Sequence, residues 1–141
     1  MTAADLERLD NLAAETKQLR SRLEWLRNAS PVSATNYSSS GAGSGTSDPV
    51  AKAACSAADI EDQILHNVLE MVEIIDSVPK PYTRRVMRMR YINGDSWGRI
   101  AQELGYTDSA APYRLLLRYR KRIMSKHPRN DNSVTTEKGV K

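Results

Sequence analysis

Apolar positions recur every three or four residues through most of this chain, and strand-like alternation is hard to find. The pattern predicts an all-α fold. Over residues 3–28, Leu9, Leu12, Thr16, Leu19, Leu23 and Leu26 form a coiled-coil-like stripe on one amphipathic helix. At about 1.5 Å per residue that helix is about 39 Å long. Residues 29–47, ASPVSATNYSSSGAGSGTS, then break every pattern with small and polar residues, Pro31 and three glycines. They are expected to form a flexible connection. Asp48-Pro49 suits a helix start, with Asp as N-cap and Pro at the first helical position. The second helix is predicted to run to about Val78, carrying Val50, Ala53, Ala57, Ile60, Ile64, Val68, Met71, Ile75 and Val78 at the same spacing. Small residues come first and bulky ones last. An antiparallel hairpin would therefore set its small end against Leu23, Trp25 and Leu26 of the first helix. Two helices alone bury a single seam, so further cover is expected from a second copy, as a homodimer, or from the C-terminal helices.

Pro79-Lys80-Pro81 stops the second helix. A third is predicted over 82–92, with Val86, Met87, Met89 and Ile92 set among Arg84, Arg85, Arg88 and Arg90, and Asn93-Gly94 as a left-handed C-cap. Ser96 can cap a short helix, Trp97–Leu104, whose inner face is Trp97, Ile100, Ala101 and Leu104. Gly105 turns the chain with positive φ. Asp108 or Ser109 caps the last helix, and Pro112 falls within its first turn, where no amide partner is needed. Leu115, Leu116, Tyr119 and Ile123 face inward at helical spacing, while Tyr113, Arg114, Leu117, Arg118 and Lys121 face outward. The resulting plan is an N-terminal helical hairpin over 3–78, a three-helix helix-turn-helix unit over 80–125, and a disordered tail over 126–141.

Charge divides along the same line. Residues 1–79 hold six Lys and Arg against twelve Asp and Glu, a balance of −6, whereas residues 80–129 hold thirteen against three, a balance of +10. The basic excess coincides with the helix-turn-helix, where DNA would lie. Ser109, Tyr113 and Arg114, near the start of the last helix, are placed to meet base edges, and arginine can donate two bonds to guanine. Arg118, Arg120, Lys121 and Arg122 suit phosphate oxygens. The structural alternative is a solvated basic helix end that favours the helix dipole.

Other chemistries are thinly represented. The single cysteine, Cys55, lies in an Ala-rich run and reads as a packed residue. His66 sits among aliphatics without metal-ligand spacing, and His127 is in the tail, so neither a metal site nor an enzyme is expected. GAGSG at 41–45 is followed by no Gly-Lys-Ser/Thr, which argues against a phosphate loop and a nucleotide cofactor. No basic-then-apolar leader and no long apolar run appear, so the expected compartment is the cytoplasm, without membrane contact.

Arg90-Tyr91, Asn93-Gly94, Trp97, Ile100-Ala101, Leu104-Gly105-Tyr106 and the basic final helix together resemble region four of bacterial sigma factors, the domain that reads the promoter −35 element. With the hairpin and the Ser/Gly-rich connection, the chain is similar to a family of small phage and prophage proteins of Gram-positive bacteria, described as sigma-like late-gene regulators or as uncharacterised. The resemblance implies a transcriptional regulator that binds double-stranded DNA and contacts host RNA polymerase. Where that family often carries acidic residues after the tryptophan, this chain has Gly98 and Arg99, and Arg99 is placed to touch a phosphate. Residues 1–79 are acidic and hold only Trp25 and Tyr37 as aromatics, so promoter opening is not expected of this chain alone. Two alternatives remain open: the DNA-recognition subunit of a phage packaging terminase, and an adaptor that binds polymerase without DNA.

Overall fold

The computed structural model describes residues 1–29 and 49–126, and every regular element among them is a helix. Helix α1 spans Ala3–Ala29 and α2 spans Pro49–Asp76. Helix α3, Pro81–Met87, widens into a π turn over Arg88–Ile92; α4 spans Trp97–Leu104 and α5 Ala111–Lys126. The fold is all-α among these residues. The connection assigned to 29–47, the Asp48 cap and the tail assigned to 126–141 lie outside the described residues, except that Ala29 and Lys126 are the last residues of α1 and α5.

Local chemistry accounts for the ends of the helices. Thr2 and Asp5 cap α1 reciprocally: the Asp5 amide donates to Thr2 Oγ1 at 3.2 Å and the Thr2 amide to Asp5 Oδ2 at 2.7 Å. The Thr2 amide and hydroxyl hold the Asp5 carboxyl below its ordinary pKa. Helix α2 ends two residues before the position that spacing predicts. Pro79 disfavours helical geometry at the residue before it, and the last turn tightens, with Val78 N bonded to Ile75 O at 3.0 Å. Val78 is nevertheless fully buried, and its carbonyl accepts from Arg84 Nη1 at 2.7 Å.

Helices α1 and α2 run antiparallel, as two ion pairs record. Arg8 grips both carboxylate oxygens of Glu70, at 2.7 and 3.0 Å, and Arg27, nineteen residues further along α1, reaches back to Glu61. The seam of α1 does not stop at α2. Leu6, Leu9 and Leu12 share one buried cluster with Met71, Ile75 and Val78 of α2, Met87 of α3, and Leu116 and Ile123 of α5. Burying a side chain of this size contributes about 1.5–3 kcal/mol. The chain's own C-terminal helices thus supply the cover that two helices lack, and Pro79–Pro81 is a change of direction within one packed body. A smaller cluster, Val86, Met89 and Ile100 with Trp97, Leu104 and Leu115, joins α3, α4 and α5.

Trp25 departs from expectation. It does not pack into the hairpin but stands 66% exposed. At about 100° per residue it lies some 200° around the helix from Leu23, which is buried, so the two cannot share a face.

Candidate nucleic-acid interface

The site is assembled around Trp97. Ser96 Oγ accepts from the Arg99 amide at 3.3 Å and starts α4. The Trp97 ring is then held on two sides. The Arg90 guanidinium sits 4.7 Å from its centroid, and Tyr113 meets it edge-on at 5.4 Å and 70°. Arg90 also donates to Asp95 O at 3.0 Å, so one arginine fixes both the tryptophan and the turn before it. The π turn makes this reach possible. Asn93 N bonds to Arg88 O at 3.1 Å, five residues back, and Asp95 N bonds to Met89 O at 3.0 Å across Gly94 at φ 72°. Arg20 of α1 then caps the exposed Ile92 carbonyl at 2.8 Å.

Helix α4 ends at Gly105, φ 77°, with Tyr106 N bonded to Ala101 O at 2.8 Å and Gly105 N to Gln102 O at 3.3 Å, a Schellman closure. Asp108 sets the start of α5: its Oδ1 accepts from Ala110 N at 2.9 Å. Its Oδ2 accepts from Arg114 Nη2 at 2.7 Å. The Ala110 amide first, and Arg114 after it, hold the Asp108 carboxyl below its ordinary pKa. Ile100, Ala101, Leu116 and Ile123 are buried beneath the two helices; Trp97, Leu104, Leu115 and Tyr119 are half-buried at their edges. Pro112 is buried within the first turn of α5.

The nominated DNA-facing residues divide into four groups. Arg118, Lys121 and Arg122 are exposed on α5 and have no ion-pair partner among the described residues. Arg114, Arg99 and Tyr113 are exposed but engaged: Arg114 with Asp108, Arg99 with Asp95 at 3.6 Å, and Tyr113 with Trp97. Exposed ion pairs of this kind are worth about 0–1 kcal/mol, so a phosphate or a guanine can displace them. Ser109 is exposed but precedes α5 rather than lying on it.

Arg120 requires a correction. Placed by spacing among the phosphate contacts, it turns inward and grips Asp10 of α1 at 2.8 and 2.7 Å, with Tyr91 Oη at 2.6 Å. Asp10 and Tyr91 take three of its five N–H donors, and the Asp10 carboxylate neutralises the charge that a phosphate would meet. Its guanidinium pKa is raised, chiefly by the hydrogen bonds to Asp10. Burial pushes the Tyr91 phenol up from its ordinary value. Leu117, expected on the outer face, is half-buried.

Sequence spacing could not nominate Asp10, which lies 110 residues from its partner. Arg90 was legible only as part of a basic helix; its place over Trp97 depends on the extra residue in the π turn. Compared with known proteins, the chain matches no family model, no curated protein and no solved structure.

Proposed function

We propose that this protein is a DNA-binding transcriptional regulator that lays α5 in the major groove, with α4 and α5 as a helix-turn-helix. The observation that carries this reading is the outer stripe of α5. Arg114, Arg118 and Lys121 recur at helical spacing, all exposed, with Arg122 beside them. Beneath them the helix rests on buried Leu116 and Ile123, so the cations are displayed on a supported rod. Arg118, Lys121 and Arg122 supply backbone attraction, and Arg114 at the first turn of the helix supplies base recognition once Asp108 releases it. The resemblance to sigma region four supports a promoter-proximal site and contact with host RNA polymerase. The resemblance to small phage and prophage proteins supports a phage setting.

An electrophoretic shift on the DNA upstream of its own gene, repeated across salt, tests the reading. About five phosphate contacts give a log–log slope near −4 to −5. Arg118→Ala should weaken binding by about 1–3 kcal/mol if it meets a base, or lower the slope by about 0.9 if it meets a phosphate. A flat salt response, or no shift by the parent protein, rules the reading out.

A further inference from the structure

Two clefts flank α5 on the side facing the start of α3. One, of about 240 Å³, is lined by Lys80, Tyr82, Arg118, Tyr119 and Arg122 among others. The next, of about 280 Å³, shares Lys80, Tyr119 and Arg122 and continues to Lys126. Together they form one trough beside the recognition helix. It carries four cationic side chains, Lys80, Arg118, Arg122 and Lys126, and among the described residues no carboxylate lines either cleft. None of the four has an ion-pair partner among the described residues. The acidic side chains elsewhere are spent differently: Asp10, Asp76 and Asp108 neutralise Arg120, Arg88 and Arg114. The chain pairs several of its other arginines and leaves this group open.

We propose that this trough is a second contact surface for DNA, taking the sugar-phosphate backbone that borders the major groove occupied by α5. This rests on the proposed function and deepens it. The argument is charge and continuity. A helix in the major groove, about 12 Å wide, is bordered by phosphate strands on both sides. Arg118 belongs both to the outer stripe of α5 and to the trough wall, which it shares with Arg122 and Lys80, so the row of cations runs on from the stripe into the trough. Tyr82 and Tyr119 add hydroxyls able to donate to phosphate oxygens. Lys80 thus brings the junction between hairpin and helix-turn-helix into contact with DNA, although it lies outside the last helix. An acidic protein segment would be the competing occupant.

The test replaces two exposed members that lie off the stripe, Lys80→Gln with Lys126→Gln, in the full chain. Binding to a random-sequence 24-base-pair duplex is followed by fluorescence anisotropy between 50 and 200 mM salt. Losing two phosphate contacts should reduce the slope by about 1.8 and weaken binding roughly tenfold or more near 0.1 M salt. A control, Lys17→Gln with Arg22→Gln on α1, removes the same charge away from the trough and should leave the slope unchanged. Helical circular dichroism confirms that both double variants fold. Equal losses in the two variants reduce the effect to net charge and overturn the proposal. So does an unchanged slope in the trough variant, which leaves the trough to an acidic partner while DNA binding by the parent still stands. Failure of the parent to bind DNA at any salt instead removes the functional reading itself.

Discussion

Asp10→Ala should destabilise the whole fold, although it lies on the first helix and Arg120 on the last. The substitution strips both carboxylate acceptors from Arg120 at once. A hydrogen bond to a charged group contributes about 1.5–3 kcal/mol when shielded, and an exposed ion pair about 0–1 kcal/mol. Here the side chains are 31% and 42% exposed, and the bidentate geometry is reinforced by Tyr91 Oη, so the pair falls between those limits. We expect a loss of about 1–2 kcal/mol, or about 4–10 °C in Tm. Urea denaturation followed by circular dichroism measures it, in a cycle of Asp10→Ala, Arg120→Leu and the double variant. A coupling of about 1–2 kcal/mol supports the clamp; one below about 0.3 kcal/mol means that the two side chains act independently and refutes it. A second readout separates clamp from interface. If the protein binds DNA as proposed, Arg120→Leu should leave the salt slope unchanged, whereas loss of a phosphate-contacting arginine lowers it by about 0.9.

Gly105→Ala should cost about 1–2 kcal/mol in thermal denaturation, and the cost is purely conformational: φ is 77° and an added Cβ meets nothing within 4 Å. Thr16→Val should raise the urea midpoint by about 1 kcal/mol equivalent, because the Thr16 hydroxyl is buried in the α1 seam without a hydrogen-bond partner among the described residues and the replacement keeps its shape. An unchanged or lowered midpoint would show that the hydroxyl is satisfied. Alkaline pH should weaken the fold. Burial raises the folded-state pKa of Tyr91 above that of the unfolded chain, so the unfolded form releases its proton first. The stability from this group is therefore intact below about pH 10 and falls as pH rises toward the folded pKa. Urea midpoints between pH 8 and 11 should drop, and Tyr91→Phe should flatten that drop while lowering the neutral-pH midpoint through loss of its bond to Arg120.

Much of the helical plan was readable from spacing. The start of α4 at Ser96, its stop at Gly105 and the tolerance of Pro112 in the first turn of α5 all follow from interactions within a few residues. Spacing carries α2 two residues too far because it marks Val78 as apolar and buried, which it is, but cannot show that Pro79 has already broken the helix. Matching bulk against space puts Trp25 in the hairpin, but it ignores the angular position that helix geometry assigns, and the ring stands exposed. The π turn at Arg88–Ile92 left no sequence signal, since its extra residue is favoured only by what Arg90, Tyr91 and the Ile92 carbonyl reach in other elements.

What the amino-acid order determined by itself was the set of helices, their caps and the concentration of positive charge after Pro79, because each depends on neighbours one helical turn away or on simple counting. What only the tertiary structure decided was which cations are free. Arg118 and Arg120 differ by two positions in one basic helix, yet the first faces open solvent and the second is bound to Asp10 of α1. A two-residue step turns a side chain about 200° around the helix, and whether a carboxylate waits there depends on a segment more than a hundred residues away.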